Sequence, residues 1–275
     1  MPTEDFRAAT VPLFADSLVD CVEWGPEVRY AAGQPGWFTG LLDFYAQSGR
    51  LYGHGVHYST LTADDLDHHE RWLQVVRDAV ERRRHVHFSE HFGFMIAAPF
   101  DRGAPMPLPA SPAVTEVGRL RLRALREAVR CPIGLENLAL AFSRSDALAH
   151  GQMLDEMLDG DSDFVLLDLH NLWCQAVNFE IDPGDLLGTF PLDRVRELHL
   201  SGGSWTVLPD GGRFRRDTHD DALPEALFPL LEAAMTRCPN LELVVLERMG
   251  GTIAGREDQL QLARDFQRVR RLVRA

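Results

Sequence analysis

The segment VLLDLHN (165–171) shows the pattern that decides the fold: a short apolar run ends at residues that can bind a metal ion. Similar runs recur along the chain, in VDCVEWGPE (19–27, with Glu23 and Glu27), LYGHG (51–55), VHFSEH (86–91), GLEN (134–137), RELHL (196–200), RRDTH (215–219) and VVLE (244–247). Parallel strands in a barrel bring their carboxyl ends to one rim, where residues distant in sequence converge. The series predicts such a barrel, with a metal site at its C-terminal mouth.

Length and composition favour one α/β domain. The chain has 275 residues, of which 45% are hydrophobic, and a (β/α)₈ TIM barrel typically takes about 250 residues. We therefore expect a single domain over 1–275. The formal net charge of −13 disfavours nucleic acid and anionic lipid as partners. No apolar run of about 20 residues and no secretory signal is evident, so a cytoplasmic protein without a membrane span is expected.

Strands and helices are predicted to alternate, as in a parallel sheet. The predicted strands lie at 19–24, 51–55, 85–90, 133–137, 164–169, 195–200, 213–217 and 242–247. The predicted helices lie at 37–48, 62–84, 112–130, 146–159, 224–237 and 256–273. Two Gly- and Pro-rich stretches, 93–111 and 201–213, interrupt this order and are expected to cover the mouth of the barrel.

The strand ends supply a candidate ligand set of four imidazoles and four carboxylates: His54, His91, Glu136, Asp168, His199, Asp217, His219 and Glu247. Buried carboxylates without cationic partners are costly, and metal ions are a common solution. Eight ligands are too many for one octahedral ion, so at least two ions are expected, with Glu136 as the bridge. Imidazole and carboxylate without thiolate suit non-haem iron, manganese or zinc. The alternative for each histidine alone is a structural role.

Residues around these ligands have predicted roles as well. Asp168 and His170 are two positions apart, as are Asp217 and His219, so strand alternation would turn each pair to one side. We expect three residues to support the ligands or to bind a third ion: Asn137, His170 and Asn171. We name three candidates for substrate binding: Trp173, Asn178 and Trp205. Trp205 could equally pack its loop against the barrel.

Taken together, these motifs resemble those of the multinuclear non-haem iron-dependent oxidative enzymes (MNIO, formerly DUF692). The resemblance rests on HGV (54–56), SEH (89–91), LEN (135–137), LLDLHN (166–171), AVN (176–178), DP (182–183), ELHLSG (197–202), DTHD (217–220) and LE (246–247), in the same order. It implies a xylose-isomerase-like (β/α)₈ barrel, and by position the eight candidate ligands match the iron ligands of the family.

The resemblance also implies a chemistry. It predicts two or three iron ions as a mixed Fe(II)/Fe(III) centre, with O₂ as co-substrate. The implied reaction is oxidative modification of a ribosomally synthesised precursor peptide, usually at cysteine, in the biosynthesis of a peptide natural product (RiPP). A separate leader-binding protein is the implied partner.

Several positions depart from the family pattern. Val28 stands where asparagine is usual, His170 where an amide is common, and Gly203 where a second histidine is usual, while Arg248 and Met249 replace Trp-Asp. These changes concern the substrate pocket more than the ligands. As a hypothesis, His170 adds a ligand to a third metal.

Two other functions remain open. One is a xylose-isomerase-like sugar isomerase or phosphodiesterase that uses divalent ions. The absence of lysine near the predicted ligands weighs against sugar isomerisation. The other is a non-catalytic, metal-dependent peptide-binding protein.

Overall fold

Seven parallel strands form the inner layer of a nearly closed barrel. The computed structural model describes residues 2–26, 34–63, 66–97 and 100–275, with the backbone alone at 97 and 100–104. Neighbouring strands pair in this order: β1 (Val22–Trp24), β2 (Leu51–Gly55), β3 (Phe88–His91), β6 (Ile133–Glu136), β7 (Phe164–Asp168), β8 (Val195–Leu200) and β11 (Leu243–Leu246). The predicted α/β barrel is confirmed, and each barrel strand lies within two or three residues of its predicted bounds.

Helices surround this sheet. They are α1 (Glu4–Ala15), α2 (Gly36–Gln47), α3 (Leu66–Arg82), α4 (Pro112–Val129), α5 (Arg144–Met157), α6 (Leu169–Asn178), α7 (Pro183–Leu187), α8 (Leu227–Arg237) and α9 (Arg256–Val273). Helix α4 shows why such segments begin where they do: Ser111 accepts a hydrogen bond from the Val114 backbone N–H, and Pro112 takes the first turn. Among the helices described, none is long and apolar enough to cross a membrane.

The barrel strands are buried on both faces. All five residues of β7 are buried, and so are all four of β6, as expected where helices cover a parallel sheet. Leu135, Val165 and Leu198 belong to one continuous hydrophobic cluster that extends into α3, α4, α5 and α8. This packing makes the strands a rigid support for the side chains at their ends.

The predicted strand at 213–217 is not part of the barrel. Instead, β9 (Trp205–Val207) and β10 (Arg213–Arg215) form an antiparallel hairpin in which Arg215 lies opposite Trp205. The prediction was wrong because a parallel crossover needs a dozen or more residues, usually a helix. The stretch after β8 is instead closed by a turn, with Gly211 at a φ of 86° and the Leu208 N–H donating to the Gly212 carbonyl (2.8 Å).

A second hairpin follows β3. The segment 93–111, expected to interrupt the alternation of strands and helices, contains β4 (Phe94–Ala97) and β5 (Phe100–Met106), paired antiparallel. Both hairpins leave the carboxyl ends of barrel strands, so they border the mouth.

The two ends of the chain meet beside the barrel. Thr3 Oγ1 donates to the Gly250 carbonyl (3.1 Å), and Arg270 Nε of α9 donates to the Leu18 carbonyl (2.8 Å). These contacts hold β1, at one end of the sheet, near β11 at the other end. As a result, Glu23 of β1 reaches His199 of β8, at 3.0 Å from Oε1 to Nε2.

Candidate metal centre

The first part of the centre joins three predicted ligands from consecutive sheet positions. Glu136 Oε2 lies 3.2 Å from His54 Nε2 and 3.0 Å from His91 Nε2. His54 is held by its other nitrogen, which is 2.8 Å from Ser89 Oγ. Two imidazoles and a carboxylate therefore point at one position at the ends of β2, β3 and β6.

Glu136 also belongs to a second group, with Asp168 and His199. One ligand atom from each of these three residues lies within 4.8 Å of the others. Asp168 is fully buried, ends β7 and also caps α6, since its Oδ1 accepts from the Asn171 N–H at 2.6 Å. Because Glu136 is shared, the two groups are adjacent. This is the arrangement that a bridging carboxylate needs.

The remaining predicted ligands extend the cluster towards the β9–β10 hairpin. Glu247 Oε2 lies 3.2 Å from His199 Nδ1 and 3.7 Å from His219 Nδ1, and His219 Nε2 lies 2.9 Å from Asp217 Oδ2. All eight candidate ligands thus form one contiguous group at the mouth.

Strand alternation does not describe the two D-x-H pairs. His170 lies in the first turn of α6, whereas Asp217 and His219 follow β10 without strand structure, with His219 at a φ of 53°. A left-handed turn, rather than an extended backbone, brings Asp217 and His219 to 2.9 Å from each other. His170 contacts Asp217 of the other pair.

Two acidic residues outside the predicted set also belong to the cluster. Glu23 and Glu197 each approach His199 Nε2, at 3.0 and 3.3 Å, and Glu197 Oε2 lies 2.7 Å from His87 Nε2. The signal for Glu197 was available, because it is two residues before His199 on β8 and shares its face. Glu27 and Val28, named from the sequence, lie outside the described residues.

The cluster carries more negative than positive charge. Six carboxyl groups meet here: Glu23, Glu136, Asp168, Glu197, Asp217 and Glu247. In the described ranges, the ion pairs that these groups form are with histidines alone. Within the same ranges, Glu23 Oε2, Glu136 Oε2, Asp168 Oδ2 and His199 Nδ1 are buried without a hydrogen-bond partner. Buried polar atoms of native proteins are normally paired, so these atoms fit a set of metal ligands.

The pKa values reflect this excess of negative charge. Burial lowers the pKa of His54 and His219, but nearby carboxylates outweigh burial and raise both pKa values to about 10. Burial and the charges of Asp217 and Glu136 raise the pKa of Asp168 well above its usual value. In this arrangement protons supply the positive charge that a bound cation would otherwise provide.

The candidate ligands are all nitrogen and oxygen donors. Cys174 lies nearby, with Sγ 3.8 Å from His170 Nε2, but burial raises the pKa of its thiol. Such a set suits iron, manganese or zinc. The structure therefore contains histidine and carboxylate clusters that could bind more than one metal ion.

Asn137 and Asn171 both hydrogen-bond to candidate ligands. Asn137 exchanges two hydrogen bonds with the Asp168 backbone, at 2.7 and 3.0 Å. Asn171 Nδ2 donates to Glu136 Oε1 at 3.1 Å. Supporting hydrogen bonds of this kind fix the orientation of metal ligands.

His170 has both ring nitrogens engaged by other side chains. Arg215 Nη2 lies 3.1 Å from His170 Nε2, and a guanidinium can only donate, so Nε2 is the acceptor. The proton of the neutral ring then lies on Nδ1, 2.9 Å from Asp217 Oδ1. This geometry makes His170 a residue that orients Asp217 and disfavours the hypothesis of a third-metal ligand.

The departures at His170 and Gly203 are neighbours in space. A Cβ atom at 203 would lie 2.9 Å from His170 Cε1 and 2.2 Å from the Arg216 carbonyl. The glycine therefore leaves room for the imidazole, which occupies space beside the place where the family pattern has another histidine.

The three candidates for substrate binding surround one arginine. Asn178 Nδ2 donates to the Arg215 carbonyl (2.9 Å), and the Arg215 N–H donates to Asn178 Oδ1 (2.8 Å). The Arg215 guanidinium lies 4.9 Å from the ring centre of Trp173 and 5.6 Å from that of Trp205. Sequence reasoning missed Arg215, since it carries no metal-binding group.

Comparison with solved structures shows the fold. A xylose isomerase-like TIM barrel protein from Mycobacterium smegmatis, solved with magnesium, has a TM-score of 0.56 at 13% identity, covering 99% of this chain and 90% of that chain. D-allulose 3-epimerase from Methylomonas has a TM-score of 0.57 at 14% identity, covering 94% and 88%. The xylose-isomerase-like barrel predicted from the sequence is confirmed.

Comparison with protein sequences shows the family. A UPF0276 protein from Caulobacter vibrioides is 29% identical over 232 residues, which cover 82% of this chain and 78% of that protein. Another from Rhizorhabdus wittichii is 26% identical over 215 residues, with 78% and 74% covered. The model of the RiPP precursor modification enzymes MbnB/TglH/ChrH matches residues 8–270. With its candidate ligands gathered at the mouth of the barrel, the chain belongs to this MbnB/TglH/ChrH family of precursor-modifying enzymes.

Proposed function

We propose that this protein is an iron- and O₂-dependent oxidase that modifies a ribosomally synthesised precursor peptide at cysteine, in the cytoplasm. The observation that carries the proposal is the position of Glu136, whose buried Oε2 faces His54 and His91 without a hydrogen bond from the described residues. Membership of a precursor-modifying family supports a peptide as the substrate.

Two groups of residues would each hold an ion: His54, His91 and Glu136 the first, and Glu136 with Asp168 and His199 the second. Asp217, His219 and Glu247 lie next to them and would supply further ligands. Bound iron would supply one-electron oxidation and the activation of O₂.

The residues of the chain itself position and shield the centre. Asn171 donates to the carboxylates of both Glu136 and Asp168, and Asn137 fixes the Asp168 backbone, so these ligands need no reorganisation when the substrate arrives. The centre lies at the rim where the β4–β5 and β9–β10 hairpins begin, and such loops can restrict water. We expect a separate leader-binding protein to deliver the peptide.

Reconstitution tests the proposal. Purified protein is loaded with Fe(II) without oxygen, mixed with peptides encoded by short reading frames beside its gene, and exposed to O₂. The expected result is a change in peptide mass that requires both iron and O₂ and is lost in Glu136→Gln. If iron-loaded protein leaves every candidate peptide unchanged, peptide oxidation is refuted.

One alternative has support from the fold. D-allulose 3-epimerase, a sugar epimerase by name, shares this barrel, so a divalent-metal sugar isomerase or a phosphodiesterase is the second candidate. All 28 basic residues of the chain are arginine, which removes the lysine that often assists sugar isomerisation. Purified protein that contains zinc, magnesium or manganese and no iron would favour this alternative.

A non-catalytic peptide-binding protein is the remaining candidate. It predicts peptide binding that persists after all metal is removed. The proposed oxidase predicts weaker binding, because metal and substrate share the same mouth.

A further inference from the structure

The β9–β10 hairpin places a buried arginine beside the metal centre. Arg215 is 5% exposed, and the rings of Trp173 and Trp205 lie against its guanidinium. Its backbone is fixed to α6 by the two hydrogen bonds with Asn178. The fold therefore fixes the position of this cation.

Arg215 lacks the partner that a buried arginine normally has. Among the described residues no carboxylate lies within ion-pair distance of it, and its Nε has no hydrogen-bond partner. The nearest acidic side chain along the chain, Asp217, is instead engaged by His170, Ser201 and His219. Burying a charge without a counter-charge is costly, so an anion from outside the protein would relieve this cost.

The surroundings of Arg215 also favour an anion. Arg213, on the same face of β10, lies 4.4 Å over the Trp205 ring and is exposed. Two arginines and two tryptophans thus border the mouth in a chain whose net charge is −13. Stacking on aromatic faces leaves the edge of a guanidinium available, and that edge matches the two oxygens of a carboxylate.

We propose that Arg215, between Trp173 and Trp205, binds a carboxylate of the peptide substrate. This inference rests on the proposed function, because it takes the substrate to be a peptide. The carboxylate is either an Asp or Glu side chain or the C-terminal carboxylate. Arg215 contacts His170, which contacts Asp217, so a carboxylate bound here anchors the peptide next to the metal ligands.

Binding to short fluorescein-labelled peptides tests the inference. Three sets share a Gly/Ser background and one cysteine: the first has an Asp at varied positions and an amidated C-terminus, the second has Asn instead, and the third has Asn and a free C-terminal acid. Affinities for iron-loaded protein are measured by fluorescence anisotropy without oxygen. Oxidation is read separately by mass spectrometry after O₂ is added.

An acid-bearing set should bind wild-type protein about tenfold more tightly than the neutral set, the scale of one charge-assisted hydrogen bond. Arg215→Gln should abolish this preference. Arg216→Gln is the matched control, since Arg216 is exposed and adjacent on the hairpin, and it should keep the preference. If Arg215→Gln does not fold, Arg215→Lys, which keeps the charge without the planar fork, should reduce the preference.

The outcomes separate the two proposals. A preference for the Asp set assigns the subsite to a side chain, and a preference for the third set assigns it to the C-terminus. Equal binding of all sets, no binding of any set, or a preference that survives in the Arg215 variants overturns the subsite, even if peptides are oxidised. An acid preference that depends on Arg215 leaves the subsite in place even if none of these peptides is oxidised, whereas the proposed function fails only if the candidate precursors are left unchanged.

Discussion

Single residues in the centre do two things at once. Asp168 ends β7, caps α6 through Oδ1 and leaves Oδ2 free towards the cluster. Asn171 supplies the N–H for that cap and also donates its amide to Glu136. Local folding and ligand geometry therefore depend on the same atoms, so a change in a supporting residue should affect metal binding without removing a ligand.

Asn171→Ala should weaken metal binding by about 10–100-fold, the usual cost of losing a supporting hydrogen bond. The reason is that Glu136 Oε1 loses its donor and the carboxylate becomes free to turn. Iron content after dialysis against graded chelator measures the effect. Asn240→Ala, at an exposed position far along the chain, is the control. Equal iron retention by the two variants would contradict this role.

A pH effect is expected from a histidine outside the centre. Burial lowers the pKa of His150 to about 4, from 6.5 in the unfolded chain. As the pH falls, His150 is protonated in the unfolded chain before it is protonated in the folded protein. The free energy of unfolding therefore decreases between pH 6.5 and pH 4, by about 3 kcal/mol in total.

Urea unfolding of metal-free protein at pH 7 and near pH 4 measures this change. His150→Gln should show a smaller loss of unfolding free energy over that range than wild-type protein does. His85, whose pKa burial also lowers to about 4, is retained in both proteins and so cancels in the comparison. An identical pH dependence in both would show that His150 does not carry the effect.

Among the elements, the β9–β10 hairpin takes the place of the predicted eighth strand. It still delivers Asp217 and His219 to the rim, because its second strand returns towards α6 and is held there by Asn178. Because Gly203 has no side chain, the backbone before β9 can lie directly against His170 and the 216–218 backbone. The hairpin thus leads directly into two candidate ligands and does more than cover the mouth.

Gly203→Ala should displace this hairpin. The added Cβ would lie 2.2 Å from the Arg216 carbonyl, and relief of such a clash typically costs about 1–3 kcal/mol. We expect a lower unfolding temperature and fewer bound iron ions per chain. Gly36→Ala, where a Cβ meets nothing within 4 Å, serves as the matched variant. Unchanged iron stoichiometry in Gly203→Ala would argue against a ligand role for this hairpin.

For the whole molecule, the barrel gathers charge from every part of the chain. Glu23 near one end and Glu247 near the other both approach His199, and six carboxyl groups share a space with little access to water. A cation that binds the folded protein but not the unfolded chain would stabilise the fold by mass action.

Removal of metal should therefore destabilise the whole barrel. Iron-loaded protein at about 100 times its dissociation constant should gain about 2.7 kcal/mol over the chelated form. Calorimetry of both forms at pH 7 measures the difference in unfolding temperature. Addition of iron to Glu136→Gln should give a smaller increase. Equal melting of loaded and chelated wild-type protein would show that these residues hold no metal in the folded state.

The sequence alone determined the fold class and six of the eight candidate ligands, because a polar residue at the end of an apolar strand is a local feature with a fixed place in a parallel barrel. Asp217 and His219 were named from the same pattern, although they follow a hairpin strand. Only the tertiary structure decided which strands pair, that 213–215 joins a hairpin, that Glu23 reaches His199, and that Arg215 is buried beside His170. Those outcomes depend on which distant residues occupy the same space, and spacing along the chain does not encode that.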